Sequence, residues 1–458
     1  MVLIFCLALS LITTLKAQVV SIPDANFKTY LVGNAVINTN GDTAIQVSEA
    51  LAFIGTINCA NLSIADLTGI EAFVNLTELD CSLNQLSSLD VSQNTNLTTL
   101  HCYINQLSSL DVNQNTSLTT LHCSSNQLSN LDVSQNMNLT DLGCSSNQLS
   151  SLDVSQNMNL TDLSCFSNQL SSLDVSQNTS LTTLYCSSNQ LSSLDVNQNV
   201  SLKYLRCSFN QLSSLDLSQN TSLAQLYCNS NLLSSLDLSQ NTNLTGLYCH
   251  SNQLSSLDLS QNLSLIWLYC YSNQLNNLDL SQNISLGHLR CFSNQLSSLG
   301  LSQNTGLIWL DCSSNQLSSL DVKNGNNTTI YNLNATSNPN LSCIQVDDSA
   351  YSAYNWVFID ASASFNANCN LSSNTNVINQ EINLIAYPNP TTKAIALDFG
   401  KVYQEINIQV TNLTGQTILN ERLENVPNII LELEGALGVY PIKIQTEEGI
   451  AILKVIKE

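Results

Sequence analysis

Cysteine has the most regular spacing of any reactive residue in this chain of 458 residues. Twelve cysteines recur at every 21st position from Cys81 to Cys312, each within the pattern LxxLxCxxN. Thiolates in such numbers could bind a metal or form disulfides. However, a cysteine that alternates with leucine on a strand points inward, and neighbouring Cβ atoms at the strand spacing are farther apart than the ~3.8 Å of a disulfide. We therefore predict buried free thiols without metal or redox chemistry.

Aspartate forms a second regular column, nine residues after each cysteine. Eleven of the twelve repeats carry it, from Asp90 to Asp321, and Gly300 interrupts the series. Carboxylates stacked about 5 Å apart repel one another, so each needs a compensating partner. The backbone N–H two residues further on can supply one in an Asx turn. A calcium ladder is the alternative use of the same oxygen atoms.

Oxygen-bearing residues near the N-terminus have the spacing of a calcium-binding loop. They are Asn38, Asn40, Asp42 and Glu49. However, Asn38 stands where such a loop needs a carboxylate, and Thr43 stands where it needs glycine. We expect a structural turn of a cap here, with bound calcium as the alternative.

Residues for acid–base catalysis are scarce, since the chain has only 4 histidines. His101 and His122 occupy adjacent repeats near two aspartates, but exposed histidines without supporting partners rarely bind metal. The sequence contains no nucleophile elbow, phosphate loop or metalloprotease motif. We predict no catalytic residue, no metal and no cofactor, and therefore no enzyme. The remote alternative is a hydrolase that would use three aspartates near the C-terminal end of the repeats: Asp347, Asp348 and Asp360.

The outward positions of the repeated strands carry the residues best suited to binding. Repeats six to twelve hold two of the 3 tryptophans and six of the 14 tyrosines, in a chain with 6% aromatic residues. Aromatic side chains with interleaved arginine are typical of binding surfaces. The alternative is that the rings only stack on one another and favour strand structure. The predicted ligand-binding residues are Tyr185, Tyr204, Arg206, Tyr227, Tyr248, Trp267, Tyr269, Tyr271, Arg290 and Trp309.

A solenoid, in which each repeat forms one coil, must position these residues. The columns of Leu97, Leu100, Leu107 and Leu110 are leucine in all twelve copies, and the Asn105 column is asparagine in all twelve. A unit of 21 residues cannot bury its apolar side alone, but stacked units bury one another's. The LxxLxC segments predict a parallel sheet, and the asparagines predict side-chain bonds to the backbone of neighbouring coils. The second half of each repeat predicts a shorter extended face.

The pattern LxxLxCxxNxL resembles the leucine-rich repeat, in its short bacterial form with cysteine at the third strand position. The resemblance covers about residues 54–341. It implies a mainly β fold, a solenoid of about 14 coils of 21 residues over residues 53–343, with the parallel sheet on its concave face.

The open ends of a solenoid need caps. Residues 18–52 are the predicted N-terminal cap, with a short amphipathic helix over 23–34. Residues 344–370 are the predicted C-terminal cap. Cys343 and Cys369 lie outside the repeated column, and the apolar run from Val2 to Leu15 at the N-terminus predicts an exported chain. We therefore predict a disulfide between the two cysteines, which would stabilise the cap by about 2–4 kcal/mol.

The composition changes after the caps. Residues 371–380 are polar and aperiodic and predict a linker, whereas 381–458 contain seven short alternating runs that predict a small β-sandwich. Its motifs are Tyr387-Pro388-Asn389-Pro390, Asn412-Leu413-Thr414-Gly415, Gly438-Val439-Tyr440 and a basic end from Lys454 to Lys457. Through these motifs the segment resembles the C-terminal sorting domain of the type IX secretion system of Gram-negative bacteria. The resemblance implies that this machinery is a partner of residues 381–458 and carries the chain across the outer membrane.

The N-terminus reads as a secretory signal peptide over residues 1–17. An apolar run from Val2 to Leu15 is followed by Ala17, a small residue at a suitable cleavage position. This run is too short for a membrane span, and no other segment predicts one in the mature chain.

The charge balance excludes nucleic acid as a partner. The chain has 34 acidic and 12 basic residues, a net charge of −22, whereas a polyanion is bound by clustered lysine and arginine.

The repeats, the outward aromatic residues and the export signals together predict a secreted monomer, at the bacterial outer-membrane surface or extracellular. We expect it to bind an extracellular protein or polysaccharide on its concave face for adhesion or recognition. The alternative is a structural surface spacer or adhesin stalk without a specific site.

Overall fold

The computed structural model describes residues 18–369, 385–387, 391–412, 416–433, 436–446 and 450–457. Backbone contacts divide the chain into two compact units, with the boundary between Ala367 and Asn368. The predicted signal peptide (1–17) and linker (371–380) lie outside the described residues.

The first unit is built from short parallel strands. Within its described residues these are β1 Gly55–Asn58, β2 Leu76–Asp80, β3 Thr99–His101, β4 Thr120–His122, β5 Asp141–Gly143, β6 Asp162–Ser164, β7 Thr183–Tyr185, β8 Tyr204–Arg206, β9 Gln225–Tyr227, β10 Gly246–Tyr248, β11 Trp267–Tyr269, β12 His288–Arg290, β13 Ser298–Gly300, β14 Trp309–Asp311, β15 Ser319–Asp321, β16 Asn332–Asn334, β17 Cys343–Gln345 and β18 Ser364–Asn366. Fourteen of them form one long sheet, in the order β1 to β12, β14 and β16. From β2 to β14 each strand residue pairs with the residue one repeat away, as Leu100 does with Leu79 and Leu121. One repeat is therefore one coil, which confirms the predicted parallel solenoid.

The leucine and cysteine columns form one continuous core along the solenoid. In one representative coil the inward side chains Leu97, Leu100, Cys102, Leu107 and Val112 are all 0% exposed. Fully burying an aliphatic side chain of this size stabilises a fold by ~1.5–3 kcal/mol relative to leaving it exposed. Because every coil repeats the set, each coil depends on its neighbours for this burial.

The Asn105 column ties consecutive coils together. The Asn105 side-chain amide donates to the carbonyl oxygens of Cys81 (3.0 Å) and Cys102 (3.1 Å), and its oxygen accepts from the N–H of Leu86 (3.0 Å). The same three bonds recur at Asn189 and along the column. These bonds satisfy backbone groups that the bend would otherwise bury unpaired, which confirms the predicted asparagine ladder.

A second asparagine ladder, which the repeat pattern did not lead us to predict, follows the other half of each coil. Asn115 is 0% exposed, and its amide donates to the carbonyl oxygens of Val91 and Asn94, both at 2.9 Å. Asparagine recurs at this position in every coil from Asn94 to Asn304. The signal was therefore present in the sequence as a second invariant column.

The predicted second extended face becomes a sheet only at one end of the solenoid. There β13, β15, β17 and β18 form a second parallel sheet in that order. Elsewhere on this face the described residues show the isolated bridge between Asp90 and Asp111. This sheet begins with β13, which contains Gly300, the residue that interrupts the aspartate column. Asp321 in β15 nevertheless keeps its Asx bond to the N–H of Lys323 at 2.9 Å, so the local bond and strand pairing occur together there.

The N-terminal cap contains helices α1, Ala25–Gly33, and α2, Val47–Ala52. Asp24 caps α1 by accepting from the N–H groups of Asn26 and Phe27, both at 2.9 Å, so the predicted helix is confirmed. Single turns of 3-10 helix occur further on, at Ile70–Ala72 and Asn327–Thr329.

The residues with calcium-loop spacing form hydrogen bonds within the N-terminal cap. The carboxylate of Glu49 accepts from the backbone N–H groups of Thr39 (2.8 Å), Asn40 (3.1 Å) and Gln46 (3.0 Å). Burial opposes the ionisation of Glu49, but these donors together lower its pKa. The geometry matches the expected structural turn.

The C-terminal cap contains helix α3, Ser349–Asn355, followed by the buried side chain of Trp356. The indole N–H of Trp356 donates to the carbonyl oxygen of Ile330 at 2.9 Å and so holds the cap on the last coils. Cys343 and Cys369, which we predicted to pair, are both disulfide-bonded.

The second unit contains seven described strands: β19 Ile385–Tyr387, β20 Ala394–Tyr403, β21 Ile406–Thr411, β22 Thr417–Leu423, β23 Val426–Glu432, β24 Gly438–Thr446 and β25 Ile450–Lys457. They form two antiparallel sheets, β19-β20-β23 and β22-β21-β24-β25, and both contribute to one core that includes Ile395, Ile408 and Ile442. The predicted small β-sandwich is confirmed. Of its motifs, residues 388–390 and 413–415 lie outside the described residues.

Candidate functional site

The ten predicted binding residues lie along the outward side of the long sheet, from β7 to β14 in chain order. Together they are termed the aromatic strip. Strand register places them in three rows that run from coil to coil. The central row is Tyr185, Arg206, Tyr227, Tyr248, Tyr269 and Arg290. The row on one flank contains Tyr204, Trp267 and Trp309, and the row on the other contains Tyr271.

The tyrosines of the central row stack on one another. The ring centroids of Tyr227 and Tyr248 are 4.1 Å apart with an interplanar angle of 5°. The ring of Tyr269 meets Tyr248 edge-on, at 4.9 Å and 75°. All three side chains are half-buried. Stacked rings restrict one another's motion, so this part of the strip is preformed.

Each arginine of the central row lies between two aromatic rings. The guanidinium carbon of Arg206 is 4.6 Å from the ring centroid of Tyr185 and 4.6 Å from that of Tyr227. Arg290 lies 5.0 Å from the Tyr269 ring and 5.2 Å from the Trp309 ring. Such cation–π contacts hold the planar groups in a fixed orientation.

The flanking rows contain further rings that the predicted set omitted. His250 and Phe292 stack on the two sides of the predicted residue Tyr271, with centroid distances of 4.0 and 4.2 Å. Trp309 meets Tyr331 edge-on at 5.4 Å. Tyr331 follows an insertion in the repeat, and alignment of the last coil with its neighbours is the signal that could have found it.

The surroundings of three rings in or beside the strip favour their neutral forms. Burial and a hydrogen bond with Tyr227 raise the pKa of Tyr248, and burial raises that of Tyr271. Burial lowers the pKa of His250 to about 4. The positive charge of the strip at neutral pH therefore comes from its two arginines.

His101 and His122 stack in adjacent coils, at 4.8 Å and 9°. The Nε2 atom of His122 is 3.0 Å from a carboxylate oxygen of Asp141, and burial together with His122 lowers the pKa of His101. No group of three or more metal-ligating side chains occurs in the parts of the chain that the structure describes.

The cysteine column is buried and reduced. Within the described residues, all thirteen cysteines from Cys59 to Cys312 are free. Burial raises their pKa values, to about 12 at Cys144 and Cys249, so the thiolate form is disfavoured. Such thiols pack as small apolar side chains, and the predicted buried ladder is confirmed.

The aspartates of the column on the opposite side of the coils form the predicted Asx turns. The carboxylate of Asp90 accepts from the N–H of Ser92 at 2.9 Å, and this bond lowers the pKa of Asp90. The same bond is found at Asp174 and Asp258.

The aspartates of the hydrolase alternative are engaged in capping. Asp348 accepts from the N–H groups of Ala350 and Tyr351 at the start of α3. Asp347 and Asp360 likewise accept from backbone N–H groups of the neighbouring coils. Their oxygen atoms therefore stabilise the cap.

Two similarities to known proteins bear on this architecture. A family model described as a secretion system C-terminal sorting domain matches residues 385–458. The functional domain of InlJ from Listeria monocytogenes, a structure that includes a cysteine ladder, matches with a TM-score of 0.60 and 27% identity, covering 96% of this chain and 100% of that domain. The chain is a leucine-rich-repeat protein with a C-terminal secretion sorting domain. Its sorting domain implies export by the type IX machinery to the cell surface or the extracellular space.

Two further similarities, one in sequence and one in fold, are also to internalins of Listeria monocytogenes. A segment of 88 residues is 42% identical to Internalin J of Listeria monocytogenes serotype 4b (strain F2365), which is 18% of this chain and 9% of that protein. The match thus spans under a tenth of Internalin J. The internalin InlF of Listeria monocytogenes shares the fold, with a TM-score of 0.61 at 22% identity over 71% of this chain and 100% of that one. Among the described residues, no helix is long and apolar enough to cross a membrane.

Proposed function

We propose that this protein is a surface recognition or adhesion protein that binds an extracellular ligand through the aromatic strip. The observation that supports the proposal most strongly is the concentration of stacked tyrosines, tryptophans and ring-held arginines on one side of neighbouring coils. Tyrosine, tryptophan and arginine dominate the energetics of binding surfaces. A preformed row loses little conformational entropy on binding.

A second candidate function, a spacer or stalk, is favoured by the same stacking. Rings that cover one another's faces stabilise a sheet without any ligand, with about 0.5–1.5 kcal/mol for each aromatic pair beyond the area buried. Under this alternative, removing the rings would lower stability and change no binding.

The two candidates differ in their response to removal of the central rings. The purified full chain and a Tyr227→Ala, Tyr248→Ala, Tyr269→Ala triple variant would be compared for binding to a panel of polysaccharides and surface-protein fractions. We expect the triple variant to lose at least about tenfold in affinity for a ligand that the parent binds. The reason is that anchor residues commonly contribute about 2 kcal/mol or more to the free energy of binding.

Two control variants separate the loss of a ligand contact from a loss of protein stability. The triple Tyr→Phe variant at the same positions keeps the stacked rings and removes only the hydroxyl groups. A Tyr103→Ala, Tyr354→Ala variant removes aromatic rings outside the strip. Binding that survives the Ala triple variant at full strength, or that falls equally in the off-strip control, would support the spacer instead.

A further inference from the structure

The positive charges of the strip have a regular placement. The whole chain contains three arginines, and two of them, Arg206 and Arg290, occupy the central row four coils apart. At about 4.8 Å per coil, the two positions are separated by about 19 Å along the solenoid.

Both guanidinium groups have covered faces and free edges. Because an aromatic ring lies against each face of the group, the N–H donors at the rim are the part left for a ligand. A guanidinium presented edge-on matches a carboxylate with two parallel hydrogen bonds. The stacking therefore prepares two similar acceptor-binding positions.

Neither guanidinium is neutralised within the solenoid. The ion pairs of the described residues do not include Arg206 or Arg290, although the chain carries 34 acidic residues. Asp311 follows Arg290 in the row, but its carboxylate accepts from the N–H (3.1 Å) and hydroxyl (2.7 Å) of Ser313. Two unpaired arginines on one face of a strongly acidic protein indicate a partner that supplies the carboxylates.

We propose that the strip binds an extended acidic segment of a protein, with two carboxylates that bridge Arg206 and Arg290. This inference rests on the proposed ligand-binding function. An extended chain rises about 3.3 Å per residue, so six residues span about 20 Å, close to the separation of the arginines. Side chains at positions i and i+6 lie on the same face of an extended segment, because strand side chains alternate with a period of two.

The ring geometry favours a polypeptide over an acidic polysaccharide. Sugars pack their C–H groups against exposed aromatic faces, but the faces of Tyr227, Tyr248 and Tyr271 are covered by neighbouring rings. What these three residues expose is ring edges and hydroxyl groups. Ring edges are electropositive and attract oxygen atoms such as peptide carbonyls and carboxylates.

Labelled peptides of serine, threonine and valine can test the spacing. Three peptides would carry two glutamates six, five or three residues apart, and their binding to the full chain would be followed by fluorescence anisotropy at several salt concentrations. We expect the six-residue spacing to bind about tenfold more tightly than the others, since it alone engages both arginines with charge-assisted bonds. A polyuronic acid of similar charge is the polysaccharide probe.

Matched variants locate the effect. Arg206→Gln and Arg290→Gln should each abolish the spacing preference, whereas Lys203→Gln removes an equal charge from an exposed position beside the row and should preserve it. Asp311→Asn retains an acceptor for Ser313, and we expect it to strengthen binding of the six-residue peptide by reducing repulsion at Arg290.

Equal binding of all three peptides, or an equal loss in the lysine variant, would show general charge attraction and overturn the inference. Arginine-dependent binding of the polyuronic acid without peptide binding would overturn it in favour of a polysaccharide. If a ligand found in the screen depends on the tyrosines and not on either arginine, this inference fails and the proposed function stands. If neither the screen nor the peptides give binding, both fail.

Discussion

At the scale of single residues, the bends of the solenoid combine a strained backbone with strong local bonds. The residue before each asparagine of the first ladder has a left-handed conformation, with φ of 56° at Ser188. This conformation costs a non-glycine residue energy. Asn189 stabilises the bend by bonding three backbone groups of two coils.

Asn189→Ala should lower the free energy of unfolding by about 2–4 kcal/mol, because three bonds are lost and their backbone partners stay buried. Chemical denaturation followed by circular dichroism would measure the change. Gln190→Ala, at the exposed neighbouring position, is the control and should change stability little. Equal effects of the two substitutions would contradict the bridging role of Asn189.

His250 should make stability depend on pH. Burial lowers its folded pKa to about 4 from the ordinary value of 6.5, so the unfolded chain binds the proton first as the pH falls. Its contribution is therefore fully present above about pH 6.5 and is lost progressively between pH 6.5 and pH 4. Unfolding free energies of the parent and a His250→Phe variant across this range should diverge in slope, since Phe keeps the stack with Tyr271 and Phe292. Parallel curves would rule out this role for His250.

At the scale of structural elements, the cysteine column packs the core of the coils, and its burial makes the thiols unreactive. The cysteine column contributes small apolar side chains whose thiols are fully enclosed between strands and the opposite side of the coil. Because desolvation disfavours the thiolate, the column is chemically quiet while the solenoid is folded.

A thiol reagent at mildly alkaline pH should leave the thirteen cysteines from Cys59 to Cys312 unmodified in the folded chain and modify all of them after denaturation. Peptide mapping by mass spectrometry would assign each site and separate these cysteines from the others. Rapid modification of a central cysteine such as Cys186 in the folded chain would contradict the enclosed ladder.

At the scale of the whole molecule, two units with separate cores divide the tasks. The solenoid core runs from the N-terminal cap to Trp356, and the sorting domain has its own core around Ile395 and Ile442. The sorting domain accounts for export, and the solenoid carries the proposed recognition surface.

Because the cores are separate, a chain shortened to end at residue 380 should keep the solenoid folded. We expect its circular dichroism and its main calorimetric transition to match those of the full chain, with loss only of the transition of the sorting domain. The same shortened chain should fail to reach the cell surface. Collapse of the solenoid on removal of 381–458 would contradict this independence.

The sequence predicted much of this architecture because a solenoid converts sequence period into spatial contact. Residues 21 positions apart become neighbours, so columns of leucine, cysteine and asparagine could be recognised without coordinates. Prediction was weaker on the second face. The second sheet begins only with β13, Ser298–Gly300, and apart from Gly300 the repeat pattern is nearly the same in the coils before that strand, so periodicity alone did not locate where the sheet starts.

The sequence by itself determined the solenoid, the inward and outward sides of its strands, the caps and the sorting domain, since each follows from periodicity or a local motif. Only the tertiary structure decided how side chains of neighbouring coils meet. The covered faces of Tyr227 and Tyr248 and the ring-held guanidinium of Arg206 depend on side-chain rotamers and on the distance between coils. A period shows which residues are adjacent, whereas the angle between two rings results from packing in three dimensions.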